Sequence, residues 1–285
     1  MKVIDALKKG DPTLSFEFFP PKTPEQEERL FNTLNELKKF EPDFVSVTYG
    51  AMGQTREKSF AWVERIKKQH RLEPVAHLTC VNAGREQIAA QLNEFDRIGV
   101  NNILALRGDP PEGEKDFVPP AGGFRFAKEL VAFIKESKPH FCVGVAGFPE
   151  GHPRAGSLEA DIDYLKQKIA AGAEYVITQL FFDNQHYFAF LKRCRAADIT
   201  VPVIPGIMPI TSLSQIKKMT AMSGAVIPPE LLTRLEKYPM DTLKIGGQHA
   251  LAQAQGLLTA GVHGLHFFVL NQVEPTATIL AQLEA

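Results

Sequence analysis

Eight short apolar runs, each followed by a longer charged segment of helical period, constrain this 285-residue chain more than any other feature. The runs occupy 14–19 (LSFEFF), 44–49 (FVSVTY), 74–80 (PVAHLTC), 102–107 (NILALR), 141–147 (FCVGVAG), 175–182 (YVITQLFF), 201–207 (VPVIPGI) and 264–270 (GLHFFVL). Between them, apolar residues recur three and four positions apart: Leu30, Leu34 and Leu37; Ile88, Leu92 and Phe95; Leu158, Ile162, Leu165 and Ile169. That spacing lines each set along one side of a helix. Parallel strands need a crossover between them, and strands covered on both faces read as near-continuous apolar runs. Eight such units in a chain of this length predict a single-domain (β/α)8 TIM barrel over residues 1–285. The competing architecture, an open doubly wound sheet, would usually carry a G-x-G-x-x-G turn after its first strand. This chain has FEFFPPK there and no P-loop elsewhere.

Two Pro- and Gly-rich stretches, 109–123 and 147–157, read as loops after the fourth and fifth strands, the first as a flap. The long interval before the last run, holding IPPELL at 227–232 and a helical pattern at 241–260, predicts an extra helix before the last strand. Charge excludes some partners. Lys and Arg number 32 against 33 Asp and Glu, a net of −1, which argues against nucleic acid or an anionic membrane surface. No stretch approaches the roughly 18 apolar residues of a membrane span. The opening MKVIDALKKGD reads as a short amphipathic helix, not a signal peptide. Cys80, Cys142 and Cys194 form no paired framework, which fits a reducing cytoplasm.

A barrel places its chemistry on the loops at the C-terminal ends of its strands. Those ends carry Glu17, Thr48 and Tyr49, His77, Arg107-Gly108-Asp109, His152, Gln179 and Asp183, and Asn271-Gln272. Strand alternation points Glu17 away from Phe16 and Phe18, hence into the barrel. Burial there would raise its pKa, as a general acid requires. A structural carboxylate is the plainer alternative. Gly108 would let a ligand approach the backbone beside Asp109, although Asp is also common at an ordinary turn. His77, three residues before Cys80, is a weak metal signal and reads as a core or ligand-contacting histidine. His152 could meet a phosphate or lie exposed on its loop. Asp161 and Lys168 read by default as a solvated helix face. No Schiff-base lysine closes a strand, and neither a Ser-His-Asp set nor a metal-binding cluster is present. The residues alone therefore lead to a barrel enzyme with two carboxylates, an amide and an arginine at its mouth.

The strings LSFEFFPPKT, DFVSVTYGA, AHLTC, ILALRGDPP, FPEGHP, ITQLFFD, IPGIMP and HFFVLN follow in this order over nearly the whole chain. Together they closely resemble the methylenetetrahydrofolate reductase family in its short bacterial form, a catalytic barrel without the eukaryotic regulatory domain. The resemblance implies flavin-dependent reduction of 5,10-methylenetetrahydrofolate to 5-methyltetrahydrofolate, in a ping-pong sequence with NAD(P)H as donor. It implies Glu17 as the general acid at folate N10 and Asp109 as the carboxylate that binds the pterin and favours a cationic iminium. Gln179 would contact the substrate. FAD, ranked above FMN, would be held by Thr48, Tyr49, His77, Arg107, Gly108, Asp109, Phe126, Ala127, Phe148, His152, Ala155, Asp161 and Lys168, with His152 and Lys168 at its phosphates. Gln272 stands where the family often has an arginine for the folate, and Leu213 where it has a stacking aromatic. Phe126 and Phe148 replace tyrosines. The resemblance also implies a homo-oligomer. An alternative makes the same barrel the folate-reducing subunit of a larger complex with a protein electron donor, a reading that Leu213 and Gln272 motivate.

Overall fold

The first six runs each yield one strand in the computed structural model, which describes residues 1–48, 56–109 and 116–284. They are β1 (Thr13–Phe18), β2 (Phe44–Val47), β3 (Pro74–Thr79), β4 (Asn102–Leu106), β5 (Cys142–Gly147) and β6 (Tyr175–Thr178). The seventh run yields two, β7 (Val203–Ile204) and β8 (Gly206–Ile207), and the last run β9 (Gly264–Phe268). The sheet order is β7-β6-β5-β4-β3-β2-β1-β9-β8, with every pairing parallel. The barrel is therefore the expected one, built from nine short strands instead of eight. The extra division falls at Pro205, which has no N–H to give to a ladder. Its carbonyl still accepts from the His266 N–H at 3.0 Å, and the Gly206 N–H turns to Thr178 Oγ1 at 2.9 Å. The broken run thus pairs with β6 on one side and β9 on the other, joining the two ends of the sheet.

Helices alternate with the strands: α1 (Val3–Leu7), α2 (Pro24–Leu37), α3 (Arg56–Lys68), α4 (Arg85–Arg97), α5 (Ala127–Ser137), α6 (Leu158–Ala170) and α7 (Asn184–Ala196). Before β9 come α8 (Leu213–Ser223), α9 (Pro229–Lys237) and α10 (Thr242–Thr259), and α11 (Thr276–Leu283) follows it. The last unit thus contains additional helix, as the length of that interval predicts. Side-chain caps start several helices. Thr23 accepts from the Gln26 N–H, Ser157 from Ala160 and Ser212 from Gln215.

Two apolar layers result. Outward residues such as Phe16, Phe18, Val45 and Leu78 pack against the helix ring. Inward residues Phe44, Val75, Leu104, Cys142, Tyr175, Ile177 and Ile204 fill the lower barrel, where Val3, Ile4 and Leu7 of α1 plug the N-terminal end. The plug is pinned: the Val3 N–H donates to Asn102 Oδ1 at 2.7 Å, and Asn102 Nδ2 donates to the Met1 carbonyl at 3.0 Å. Above this layer the inward positions turn polar. All three cysteines are free and buried. No helix among the described residues is long and apolar enough to cross a membrane.

Candidate active site

Alternation along β1 points Ser15 and Glu17 inward. The register sets Glu17 beside Ser46 of β2, and Ser15 beside His266 of β9. Glu17 is only 8% exposed. Its Oε1 accepts from Thr48 Oγ1 at 2.8 Å, and its Oε2 from Ser46 Oγ at 3.3 Å. Two imidazoles face the same oxygen, His266 Nε2 at 3.3 Å and His77 Nε2 at 3.5 Å. Burial opposes ionisation of Glu17, but the imidazoles and the hydroxyl donors outweigh it and hold its pKa down at about 2. This corrects the expectation of a raised pKa. Burial was the only influence visible along the chain, and the stabilising donors come from β2, β3 and β9.

His77 is buried, and neither of its ring nitrogens has a hydrogen-bond partner. Burial also lowers its pKa, so the ring is neutral near pH 7. Thr48, expected beside the cofactor, spends its hydroxyl on Glu17. Tyr49 lies outside the described residues. The sequence reading missed Ser15, Ser46 and His266. The alternation that aimed Glu17 inward would have aimed them inward as well.

Cationic groups gather beside the ends of β4 and β5. His152 feels the charges of Lys168, Arg154 and Arg107, and that of Asp109 with the opposite sign. Burial and these cations lower its pKa. Phe148 stands edge-on to its ring, the centroids 4.6 Å apart. The Ala155 N–H donates to the His152 carbonyl at 2.8 Å. Asp161 and Lys168 do not form the solvated face that the helix pattern suggested. Asp161 is 8% exposed, with a raised pKa from burial. Lys168 Nζ donates to the Ala146 carbonyl at 2.6 Å, and burial lowers its pKa to about 8. Arg107 stacks on Phe117 and pairs with Asp116, which also draws Arg125 and Arg154, each at 3.7 Å.

The remaining expected positions surround these two groups. Asp109 is exposed just past β4. Gly108 has φ +81°, and a Cβ there would come within 2.8 Å of Val81, so the turn and its packing both call for glycine. Gln179 follows β6, its N–H on the Gly147 carbonyl and its Oε1 accepting from the Leu180 N–H, both at 2.8 Å. Phe126 precedes α5 and is 45% exposed, with Ala127 opening the helix. Leu213 packs against the cluster of Leu180, Phe182 and Ile216. Gln272 follows Asn271, whose amide clasps both backbone groups of Phe19 at 2.8 and 2.9 Å. Asp183 caps α7 through the Gln185 N–H.

A sequence profile described as methylenetetrahydrofolate reductase matches residues 2–284. The chain belongs to the methylenetetrahydrofolate reductase family. It is 38% identical over 269 residues to 5,10-methylenetetrahydrofolate reductase of Pectobacterium carotovorum subsp. carotovorum, covering 93% of this chain and 88% of that one. The Escherichia coli (strain K12) protein of the same name is 37% identical, covering 95% and 90%. Methylenetetrahydrofolate reductase (NADH) 1 of Arabidopsis thaliana is 37% identical over 99% of this chain but 51% of its own length. The chain thus spans about half the length of its plant relatives. Among solved structures, an uncharacterized Clostridium thermocellum protein that binds two copies of 5-methyl-5,6,7,8-tetrahydrofolic acid has a TM-score of 0.66, at 16% identity over 98% of this chain and 97% of that one. Oxaloacetate acetylhydrolase has a TM-score of 0.57 at 11% identity, over 99% and 83%. At such identities these structures speak for the barrel fold alone.

Two features suit a flavin, the family's cofactor. The unpartnered ring nitrogens of buried His77 have hydrogen bonds to give or accept. Lys168, Arg107 and Arg154 bring positive charge around His152, and no described carboxylate lies within ion-pair distance of Lys168.

Proposed function

We propose that this chain reduces 5,10-methylenetetrahydrofolate to 5-methyltetrahydrofolate with a bound flavin, FAD above FMN, recharged by a nicotinamide donor. The observation that carries this reading is the buried Glu17 carboxylate at the mouth of a family barrel, held by Thr48, Ser46 and two imidazoles. The flavin supplies the hydride when bound. Lys168, His152 and Arg107 would hold its phosphates, with Asp161 setting the field around Lys168. His77 would meet its ring, and Phe126, Ala127, Phe148 and Ala155 would line it. Glu17 delivers a proton to folate N10, whose bond to the bridging carbon breaks with the electron pair left on nitrogen. Asp109 binds the pterin and favours the cation left on N5. Gln179 and Gln272 contact the folate by hydrogen bonds, and Leu213 gives an apolar surface beside it.

An anaerobic half-reaction tests the reading. The flavoprotein is reduced chemically and mixed with 5,10-methylenetetrahydrofolate, and the flavin absorbance is followed. Return of the oxidised spectrum with 5-methyltetrahydrofolate formed is the expected result; a protein that stays reduced overturns it. Reduction of the flavin by NADH alone would separate this enzyme from a subunit fed by a partner protein.

A further inference from the structure

Residues 179–183 form no helix or strand, yet they carry Gln179 from the end of β6 to the start of α7. Phe181 and Phe182 within them are buried, and buried carbonyls outside regular structure must find donors elsewhere. Two side chains of α10 supply these. Gln253 Nε2 donates to the Phe181 carbonyl at 2.9 Å, and His249 Nε2 to the Phe182 carbonyl at 2.8 Å. A carbonyl only accepts, so Nε2 carries the proton. Burial lowers the pKa of His249, so the ring is a neutral donor near pH 7. Asn184 Nδ2, at the start of α7, donates back to the Gln253 carbonyl at 2.9 Å.

Gly246, His249, Gln253 and Gly256 recur three and four positions apart, which sets them in one stripe along α10. A Cβ at Gly256 would sit 2.9 Å from Asn184 Nδ2, and one at Gly246 would sit 2.0 Å from the Ile210 carbonyl oxygen. The stripe therefore lies against two segments at once, the one after β6 and the one that leads from β8 to Leu213. Both segments also share an apolar cluster apart from the barrel core and its floor. Leu180 and Phe182 belong to it with Met208, Ile210, Leu213 and Ile245 of α10. Gln179 spends its Oε1 on the Leu180 N–H at 2.8 Å, which leaves its amide hydrogens to offer a substrate. The place of that amide is set from both sides. Its own N–H is fixed to the Gly147 carbonyl, and the α10 contacts follow two and three residues on.

We propose that His249, together with Gln253, is a positioning residue for folate binding that holds the Gln179 amide in register with the apolar surface of Leu213. The proposal rests on the reductase reading and deepens it. No proton moves and no charge changes. Without the His249 bond, residues 179–182 lose part of their anchorage, and folate must order them as it binds, at a cost in affinity.

The test uses chemically reduced flavoprotein mixed with 5,10-methylenetetrahydrofolate over a range of concentrations. His249→Phe keeps a ring beside that of Phe182, whose centroid lies 6.4 Å away, and removes the donor. We expect the folate concentration for half-maximal reoxidation to rise ~10-fold, with the limiting rate near that of the wild type. His249→Gln, whose amide nitrogen reaches about as far as Nε2, should return the value to within ~2-fold of wild type. In a Gln179→Ala background, His249→Phe should add nothing, because its route to the substrate is gone. Flavin affinity of the apoprotein should hold, since the cationic groups stand beside β4 and β5 and not on these segments. Gln253→Leu, which removes the neighbouring bond, should act in the same direction and serves if His249→Phe fails to fold. A lowered denaturant midpoint with folate affinity unchanged overturns the proposal alone, since the clasp is then structural only. So does full additivity of His249→Phe with Gln179→Ala. A wild-type protein that folate never reoxidises overturns the reductase reading, and the proposal with it.

Discussion

Glu17 and Lys168 are ionisable groups placed where burial resists their charge, and each is answered differently. Glu17 receives hydroxyl and imidazole partners and stays ionised down to about pH 2. Its folded pKa lies below the ordinary 4.5, so it stabilises the fold above that value, and the contribution is lost as pH falls from 4.5 toward 2. Glu17→Gln should remove that slope from acid unfolding curves. It should also keep flavin reduction by the nicotinamide donor while slowing folate reduction by about 100- to 10,000-fold, measured on separated half-reactions. Lys168 donates to the Ala146 carbonyl and feels the Asp161 charge, but burial outweighs both, and its pKa sits at about 8 against an ordinary 10.5. Between those values the unfolded chain binds more protons at this position than the folded one, so stability rises with pH there. Lys168→Met should abolish that rise in thermal scans of the apoprotein and weaken flavin binding in a titration. Unchanged flavin affinity would remove Lys168 from the phosphate site. Asp109→Asn should weaken folate binding and raise the flavin potential; an unmoved potential would place Asp109 away from the ring.

Single elements carry constraints that their sequence shows only in part. Asn271 lies in the turn just past β9 at φ +54° and ties its amide to the Phe19 N–H and carbonyl, while Thr33 Oγ1 donates to the Asn271 carbonyl at 3.1 Å. One residue thereby fastens the end of β9 to the end of β1 and to α2. Asn271→Ala should cost about 2–3 kcal/mol, from two lost hydrogen bonds and a left-handed backbone that alanine resists. Asn271→Gly should recover the backbone share only, as denaturant midpoints would show. The runs around Glu17 were legible because a strand covered on both faces has a simple alphabet. The division at Pro205 was not, since it reflects which neighbour each half of the run pairs with. Glu17 was legible through alternation, but its acidity was not, because Ser46, His77 and His266 stand 29, 60 and 249 positions along the chain and meet only when the barrel closes. His266 hid in GLHFF, where a histidine between Leu265 and Phe267 passes for core. The cationic cluster hid for a similar reason, since Lys168 lies on a helix face that looks solvated until the β5 carbonyl it binds is in view.

Across the whole molecule, the barrel has a closed end and a polar end. Val3, Ile4 and Leu7 complete the apolar layer of Phe44, Leu104, Tyr175 and Ile204, and Tyr175 lies so close over Gly144 that a Cβ there would sit 2.3 Å from its ring. Leu7→Ala should therefore cost about 2–5 kcal/mol, as for other buried leucines, with little effect on the half-reactions at the far end. A loss of folate turnover at full stability would contradict this separation. The same plug has a kinetic consequence. With the floor of the barrel sealed, the proposed ping-pong reaction has donor and folate use the same open end in turn. Each should act as a dead-end inhibitor of the other, so that raising NADH far above its KM slows turnover at low folate and raising folate reverses the effect.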